Sequence, residues 1–175
     1  MPALVAPTTR LHQSWLEARA EWAPGETLHG HGIDPTRDLE SADGFAAWVA
    51  YLLIQSDESV PVVPERVHAT YWWIVEDDTY LGAINLRHRL NETLLHAGGH
   101  IGYGLRPSAR GRHLAFWAVG EVLPVARAKG LDRVLVTCHD DNLASARTIE
   151  RSGGILENVA ETEYGLTRRY WIALD

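Results

Sequence analysis

The feature that most constrains the fold is the stretch IGYGLRPSARGRHLAFWAVGEVL, residues 101–123. Its apolar run breaks at Arg106-Pro107, an arginine- and glycine-bearing turn follows, and a long apolar-periodic helix begins after the turn. The first backbone N–H groups of a helix lack partners inside the helix and point outward, so a strand, a tight turn and a helix N-terminus form a natural anion site. The stretch therefore predicts a phosphate site, and the bulky His113 in the middle of its turn needs an explanation.

The overall charge limits the partners that this chain is expected to bind. Its 23 acidic and 16 basic residues give a net charge of −7, whereas nucleic acids and anionic membranes attract a positive surface. The arginines nevertheless cluster locally, with Arg106, Arg110 and Arg112 in the turn. A compact basic patch on an acidic protein fits a small polyanion better than a nucleic acid duplex, although arginines also cap strand and helix ends.

Length and cysteine usage predict one cytoplasmic domain over residues 1–175. Of these residues 46% are hydrophobic and 22% charged, which is typical of a globular chain that buries a good core. The single cysteine excludes an internal disulfide framework, no apolar run approaches a membrane span, and no basic-then-apolar leader begins the chain. We therefore expect no membrane partner, and a homodimer remains open.

Hydrophobic periodicity predicts helices first, then antiparallel strands, then alternating strands and helices. Helices are predicted at residues 9–21, 41–55, 111–129 and 142–152, with a single helical turn at 91–97. Strands are predicted at 3–6, 70–76, 80–88, 98–105, 132–138, 155–164 and 166–174. This order predicts an α/β domain with a mixed sheet flanked by helices.

The order of elements and several motifs resemble the GCN5-related N-acetyltransferase (GNAT) superfamily over essentially the whole chain. The chain looks closest to a branch of predicted acetyltransferases with the motifs GHIGY, RPS-x-RG, N-x-x-S and RRYWI, here at residues 99–103, 106–111, 142–145 and 168–172. The resemblance implies a mostly antiparallel central sheet flanked by helices, with strands splayed at an acyl-CoA site. The family motif Gln/Arg-x-x-Gly-x-Gly/Ala begins here at Arg110, and its middle glycine is replaced by His113.

The same resemblance implies acetyl-CoA as co-substrate and assigns the residues that hold it. The pyrophosphate is expected on Arg110, Gly111, Arg112, His113, Leu114 and Ala115. The pantetheine arm is expected along the strand edge of Tyr103, Gly104 and Leu105, with hydrogen bonds from Asn142 and Ser145. Three roles remain open for His113: a bystander turned to solvent, a protonated imidazole paired with phosphate, or the mark of a turn altered for another acyl donor.

The implied reaction is direct acyl transfer to an amine, which needs a base to remove the amine proton. The family position for that base is His100 here, and a structural histidine at the start of a strand is the alternative. Reserve candidates on neighbouring elements are Glu76, His88, His96 and His139. The family position for a tyrosine acid is occupied by Ile149, so Tyr103, Tyr164 and Tyr170 are considered in its place.

Two further patterns receive plain interpretations. The pair His29-x-His31 with Asp34 has metal-like spacing, but without further ligands it indicates either lining of an acceptor pocket or a solvated loop rather than a metal site. Cys138 ends a buried strand and is expected to act as a small hydrophobic residue.

The leading hypothesis is an N-acetyltransferase that acetylates the amine of a small molecule. One alternative is a transferase of this fold that takes an aminoacyl group from charged tRNA, which the altered turn motivates and the acidity opposes. The other is a non-catalytic acyl-CoA-binding module, motivated by the missing tyrosine at position 149.

Overall fold

The computed structural model describes residues 1–34, 36–63 and 65–174. Its strands are β1 (Pro2–Val5), β2 (Ala69–Glu76), β3 (Thr79–Arg87), β4 (Ile101–Leu105), β5 (Arg133–His139), β6 (Ile155–Thr162) and β7 (Gly165–Ala173). Its helices are α1 (His12–Glu21), α2 (Ala42–Ile54), α3 (Glu92–His96), α4 (Leu114–Ala128) and α5 (Leu143–Arg151). Short 3-10 turns cover Thr9–Leu11 and Pro107–Ala109. No helix in these ranges is long and apolar enough to cross a membrane.

All seven strands belong to one sheet with the order β1-β2-β3-β4-β5-β7-β6. Neighbouring strands are antiparallel except β4 and β5, which run parallel because the crossover through α4 joins them. The predicted mixed, mostly antiparallel sheet flanked by helices is therefore confirmed. The parallel pair is registered at Ile101 and Val136, near the start of β4, and the two strands separate beyond that point.

The two faces of the sheet carry separate hydrophobic cores. One core packs α4 and α5 against the middle of the sheet and includes Ile84, Val119 and Ile149. The other packs α1 and α2 against β2 and β3, and its centre is aromatic: Trp48 lies 5.7 Å from Trp73, ring centroid to ring centroid. Because successive side chains of a strand point to opposite faces, the sheet separates these two cores completely.

The ends of the helices show which local signals were correct. The Ser41 hydroxyl accepts the N–H of Gly44 at 3.1 Å, so the predicted cap of α2 is confirmed. Gly130 follows α4 with φ +84°, as predicted for a terminating glycine. The start of α4, predicted at residue 111, was wrong by three residues, since His113 has the left-handed φ of 60° and the helix begins at Leu114.

Candidate active site

A large cleft opens where β4 and β5 separate, and its volume is about 1320 Å³. One wall is the loop of residues 26–33, and the other comprises the turn before α4 and the exposed side of α5. The ends of β3, β4 and β5 form the floor. The cleft therefore combines segments that are far apart in sequence.

The free edge of β4 is the central feature of the floor. On one side, β4 pairs with β3 from Ile101 to Leu105, whereas its pairing with β5 is registered at Ile101. The residues from Gly102 to Leu105 line the cleft, including the predicted Tyr103, Gly104 and Leu105. An exposed strand edge offers backbone N–H and C=O groups to an extended, amide-bearing ligand. This is the arrangement that the sequence predicted for the pantetheine arm.

The loop that forms the first wall lies directly against the glycines of β4. A Cβ atom on Gly104 would lie 2.8 Å from the carbonyl oxygen of His29 and 2.8 Å from Cε1 of His31. A Cβ atom on Gly30 would lie 2.5 Å from the carbonyl oxygen of Gly102. Glycine is thus required on both surfaces for this close approach. The contact places His29 and His31 in the lining of the cleft.

The turn between β4 and α4 presents a helix N-terminus to the cleft. Gly111 has φ +79° and His113 has φ +60°, so the backbone passes through the left-handed region twice before α4 begins. The first helical residues, Leu114 and Ala115, have no N–H acceptor inside the helix, and both line the cleft. The expected anion site is therefore present as a geometry, with the His113 side chain beside it, 3.3 Å from the guanidinium of Arg151.

The three arginines of the turn are occupied by carboxylates. Arg106 pairs with Glu21, whose pKa is lowered to about 2 by this contact and by hydrogen bonds from Ser108. Arg110 pairs with Glu26 at 2.7 Å, within the cleft wall. Arg112 pairs with Glu76 of β2 at 2.8 Å, and its side chain is not part of the cleft lining. The basic patch seen in the sequence is largely neutralised, and the expected contact of the Arg112 side chain with a ligand does not fit this position.

Asn142 and Ser145, two predicted residues at the start of α5, lie at the cleft and belong to one hydrogen-bond network. Asn142 caps the helix by accepting the N–H of Ser145 at 3.0 Å. The hydroxyl groups of Ser145 and Tyr103 are 2.7 Å apart, which ties α5 to β4 across the cleft. Burial raises the pKa of Tyr103 to about 12, so its phenol stays protonated at neutral pH. Both residues therefore line the cleft as expected, and Asn142 caps the helix as well.

His100 is separated from the residues of the cleft. It is 5% exposed, it is not part of the cleft lining, and its ring packs edge-on against Trp171. Its Nδ1 accepts the backbone N–H of Leu135 at 2.9 Å, and burial lowers its pKa to about 4. A neutral imidazole has one acceptor nitrogen, and here that nitrogen is already used. This position fits the structural alternative, and it does not fit a general base.

Of the remaining candidates for proton transfer, two line the cleft and four do not. His139 lines the cleft at the end of β5, and Tyr164 lines it from the β6–β7 turn. Glu76 is paired with Arg112, and His88 contacts Glu58 at 2.7 Å. His96 and Tyr170 are not part of the lining, and the Tyr170 hydroxyl donates to Glu150 at 3.0 Å.

The structure also describes the surroundings of Cys138 and Asp34, which received plain interpretations above. Burial raises the pKa of Cys138 to about 11, as befits a small hydrophobic residue at a strand end. Asp34 accepts the N–H of Thr36 at 3.0 Å. Across residues 1–34, 36–63 and 65–174, no group of three or more His, Cys, Asp and Glu side chains is placed to hold a metal ion.

His29 and Arg87 are two polar residues that both line the cleft and that the sequence analysis did not group. His29 faces the cleft with a pKa lowered by burial and by the nearby His139 and Arg87. Arg87, the last residue of β3, extends into the same region. The one signal in the sequence for this grouping is the set of glycines at 30, 32, 102 and 104, which permits the loop and β4 to meet.

Comparison with known proteins agrees with this geometry. The acetyltransferase (GNAT) domain family matches residues 12–155. No curated protein sequence matches the chain. An acetyltransferase from Salmonella typhimurium that modifies the N-terminal serine of ribosomal protein L7/L12 superposes with a TM-score of 0.70 at 15% identity, over 99% of this chain and 95% of that one.

Two other solved structures carry ligands. Mycobacterium smegmatis RimJ in complex with CoA-disulfide superposes with a TM-score of 0.70 at 15% identity, over 98% of this chain and 81% of that one. The microcin C7 self-immunity acetyltransferase MccE, in complex with acetyl-CoA and AMP, gives a TM-score of 0.63 at 17% identity, over 98% and 92%. At these identities the solved structures establish the fold, and the family match covers most of the chain. The chain therefore belongs to the GNAT family of acetyltransferases.

Proposed function

We propose that the protein transfers the acetyl group of acetyl-CoA to a primary amine by direct attack. The observation that carries the proposal is the continuous path from the free edge of β4 to the N-terminus of α4. Such a path matches a ligand with an amide-bearing arm at one end and a pyrophosphate at the other. The family and the acetyl-CoA complex of the related fold support the same donor.

The chain's own groups have distinct roles in donor binding. The N–H groups of Leu114 and Ala115 would donate hydrogen bonds to the pyrophosphate, and the left-handed turn at Gly111 would let it approach the backbone. The backbone of Tyr103 to Leu105 would pair with the arm, and Ser145 would hold its far side. The side chain of Arg112 has no place in this scheme, because Glu76 holds it outside the cleft.

The chemistry needs a neutral base near the free edge of β4. The amine nitrogen attacks the thioester carbonyl, the C–S bond breaks, the amine proton moves to the base, and the thiolate leaves and takes a proton from water or from Tyr103. We assign the base to His29, since its carbonyl lies against Gly104 and its lowered pKa leaves the imidazole neutral at pH 7. Tyr103 is a protonated phenol in the same cleft.

The alternative in which charged tRNA is the acyl donor has lost its main support. The tRNA alternative relied on a basic patch formed by the arginines of the turn, and Arg106, Arg110 and Arg112 each contact a carboxylate. A polyanion of that size needs a large unpaired positive surface. The alternative of a non-catalytic module is opposed by the neutral His29 in the cleft, and a turnover assay decides it.

The acceptor has two candidate sources. A small-molecule amine is our first hypothesis, because the loop of residues 26–33 encloses one wall of the cleft. A protein N-terminus is the second, favoured by the related folds that act on an N-terminal serine of L7/L12 and on an alanine of ribosomal protein S5. The assignment to the branch with the GHIGY and RRYWI motifs stays a prediction.

The donor site is tested with an isosteric pair of variants. Gly111→Asp puts a carboxylate in the anion site, whereas Gly111→Asn carries the same shape without charge, and both residues tolerate a left-handed φ comparatively well. We expect calorimetric titration to show acetyl-CoA binding at least tenfold weaker for the Asp variant than for the Asn variant. Equal acetyl-CoA affinities of the two variants would mean that the turn does not bind the donor.

The role of His29 is tested by kinetics. His29→Gln should lower kcat by about 10²- to 10⁴-fold, leave acetyl-CoA affinity within a factor of about three, and remove the acidic limb of the pH profile. An unchanged pH profile would instead assign the role of general base to His139 or to water.

A further inference from the structure

The cleft carries an excess of positive charge although the protein is acidic. Its lining contains four arginines, Arg87, Arg110, Arg147 and Arg151, and two carboxylates, Glu26 and Glu150. Both carboxylates are engaged: Glu26 pairs with Arg110, and Glu150 accepts the hydroxyl of Tyr170. The cleft as a whole is therefore suited to anions at more than one place.

Three of these arginines belong to the donor end of the cleft. Arg110 lies in the turn itself, and Arg151 contacts His113 at 3.3 Å. Arg147 lies one helical turn before Arg151 on the same side of α5, and both line the cleft. These side chains surround the proposed pyrophosphate site, so the phosphates of the donor account for them.

Arg87 lies at the opposite end of β4. Its backbone N–H donates to the carbonyl of His100 at 2.8 Å, just before β4 begins, whereas the anion-binding turn follows Leu105 at the other end. Five strand residues of about 3.3 Å each separate the two positions, a distance of roughly 16 Å. Arg87 is thus too far from the turn to serve the same phosphates, and it lies on the acceptor side.

The guanidinium of Arg87 is held by hydrogen bonds to backbone carbonyl groups. Its Nη1 donates to the carbonyl oxygens of Gly98 at 2.8 Å and Gly99 at 2.9 Å, which fix the side chain in one orientation. Among the residues that the structure describes, no carboxylate forms an ion pair with it. Arg87 is half-buried, and this burial lowers the pKa of its guanidinium.

The neighbours of Arg87 complete a site for an anion. Tyr71 and Tyr164 line the same cleft as Arg87 and bring phenol hydroxyl groups to it. His29 also lines this cleft, and its pKa is lowered by burial first and by the charges of His139 and Arg87 as well. A buried, oriented guanidinium that no carboxylate among the described residues neutralises favours an anionic ligand, and its fork geometry matches a carboxylate.

We propose that the acceptor is an amine that also carries a carboxylate, and that Arg87 binds this carboxylate while the amine lies between His29 and the edge of β4. The inference deepens the proposed function and rests on it. Two sources offer this chemistry: an amino acid with an acidic side chain, whose side-chain carboxylate would bind Arg87, or a peptide N-terminus followed by an acidic side chain. In both, Arg87 is the residue that selects the acceptor.

The test compares acceptors that differ only in the charge of a side chain. Glutamate against glutamine represents the small molecules, and the peptides Ser-Asp-Ala and Ser-Asn-Ala represent protein N-termini. We expect the acidic member of at least one pair to have a kcat/KM at least tenfold higher with the wild-type protein. The pair that shows the preference identifies the source.

Variants assign that preference to one side chain. Arg87→Gln should bring the ratio within each pair close to one without weakening acetyl-CoA binding, and Arg87→Lys should retain part of the preference. Arg89→Gln is the matched control, since Arg89 is an exposed arginine two residues away that does not line the cleft. A wild-type protein that acetylates both members of both pairs equally overturns the inference and leaves the proposed function intact.

A binding measurement separates the failure of this inference from that of the proposed function. The N-acetylated forms of both pairs are titrated into the wild-type protein with coenzyme A present, followed by calorimetry, so no turnover is needed. Tighter binding of the acidic member of at least one pair, abolished in Arg87→Gln, supports the anion site even if no amine is acetylated. Equal binding within both pairs, or a preference that survives in a folded Arg87→Gln variant, refutes it.

Discussion

Replacing His100 by asparagine should reduce the sensitivity of the fold to mild acid. The imidazole is 5% exposed and its pKa is lowered from 6.5 to about 4. A histidine with a lowered pKa in the folded state contributes its full stability above the unfolded value, and that stability falls as the pH drops from 6.5 towards 4. Linkage gives a loss of about 2 kcal/mol between pH 7 and pH 5 for such a group. His31 is also fully buried, with a pKa of about 4, and should add a similar loss.

The variant is designed to remove the titration and keep the hydrogen bond. Asparagine places Oδ1 where His100 has Nδ1, so the N–H of Leu135 retains an acceptor. Urea unfolding at pH 7 and pH 5, followed by tryptophan fluorescence, should show that the variant loses about 2 kcal/mol less than the wild type over this interval. His100→Leu is the contrast, since it leaves the N–H unpaired and should cost a further 1–3 kcal/mol or so at both pH values.

Two results would refute this reasoning. If the wild type and His100→Asn lose the same stability between pH 7 and pH 5, the imidazole is not the buried neutral group that the structure shows. If the variant binds acetyl-CoA normally but loses more than about 100-fold in kcat, His100 takes part in proton transfer as the sequence predicted.

Three further predictions concern the cleft and the turn before α4. Gly104→Ala should lower kcat/KM at least tenfold because its Cβ meets the carbonyl oxygen of His29 at 2.8 Å, whereas Gly120→Ala, where a Cβ meets no atom within 4 Å, should leave it unchanged. Glu21→Gln should destabilise the protein by about 1–2 kcal/mol at pH 7 in urea unfolding. That difference should disappear between pH 4.5 and pH 2, since the lowered pKa of Glu21 means that its contribution is lost as the pH falls through this interval. His113→Gly should leave coenzyme A affinity within a factor of about three by calorimetry, because the relief of a left-handed φ is offset by the greater freedom of the unfolded chain. A loss of affinity in both His113→Gly and His113→Ala would instead assign a ligand contact to the imidazole.

The parts of the fold that were predicted correctly are those that depend on local pattern. Alternation and turn residues located the strands, and Ser41 and Gly130 marked helix ends because a cap acts within a few residues of its own position. The predicted start of α4 was wrong because a run of apolar residues shows only where a helix continues. The first residue of the helix depends on the backbone angle of His113, which leaves no periodic signal in the sequence.

The candidate site likewise has one part that local pattern predicted and another part that it did not. The edge of β4 and the turn were predicted from one contiguous stretch, since strand, turn and helix follow one another in the chain. The grouping of Arg87 and His29 was missed because the loop of residues 26–33 lines the same cleft as Arg87 only after it folds over the glycines of β4. His100 was assigned as the base because it occupies the family position for that role, but its Nδ1 accepts the N–H of Leu135, 35 residues away in β5. Local order locates a backbone site, and long-range packing decides which side chains reach it.

His113 shows where local and long-range information meet. A glycine at this family position permits a positive φ, and His113 has φ +60° there. Since histidine is among the residues that adopt this region comparatively often, the turn keeps a left-handed backbone without glycine. The imidazole then contacts Arg151 of α5, which also lines the cleft. The substitution therefore keeps the backbone turn that we propose for the pyrophosphate and adds a side chain that links the turn to α5, so the altered motif by itself gives no reason to abandon coenzyme A as the donor.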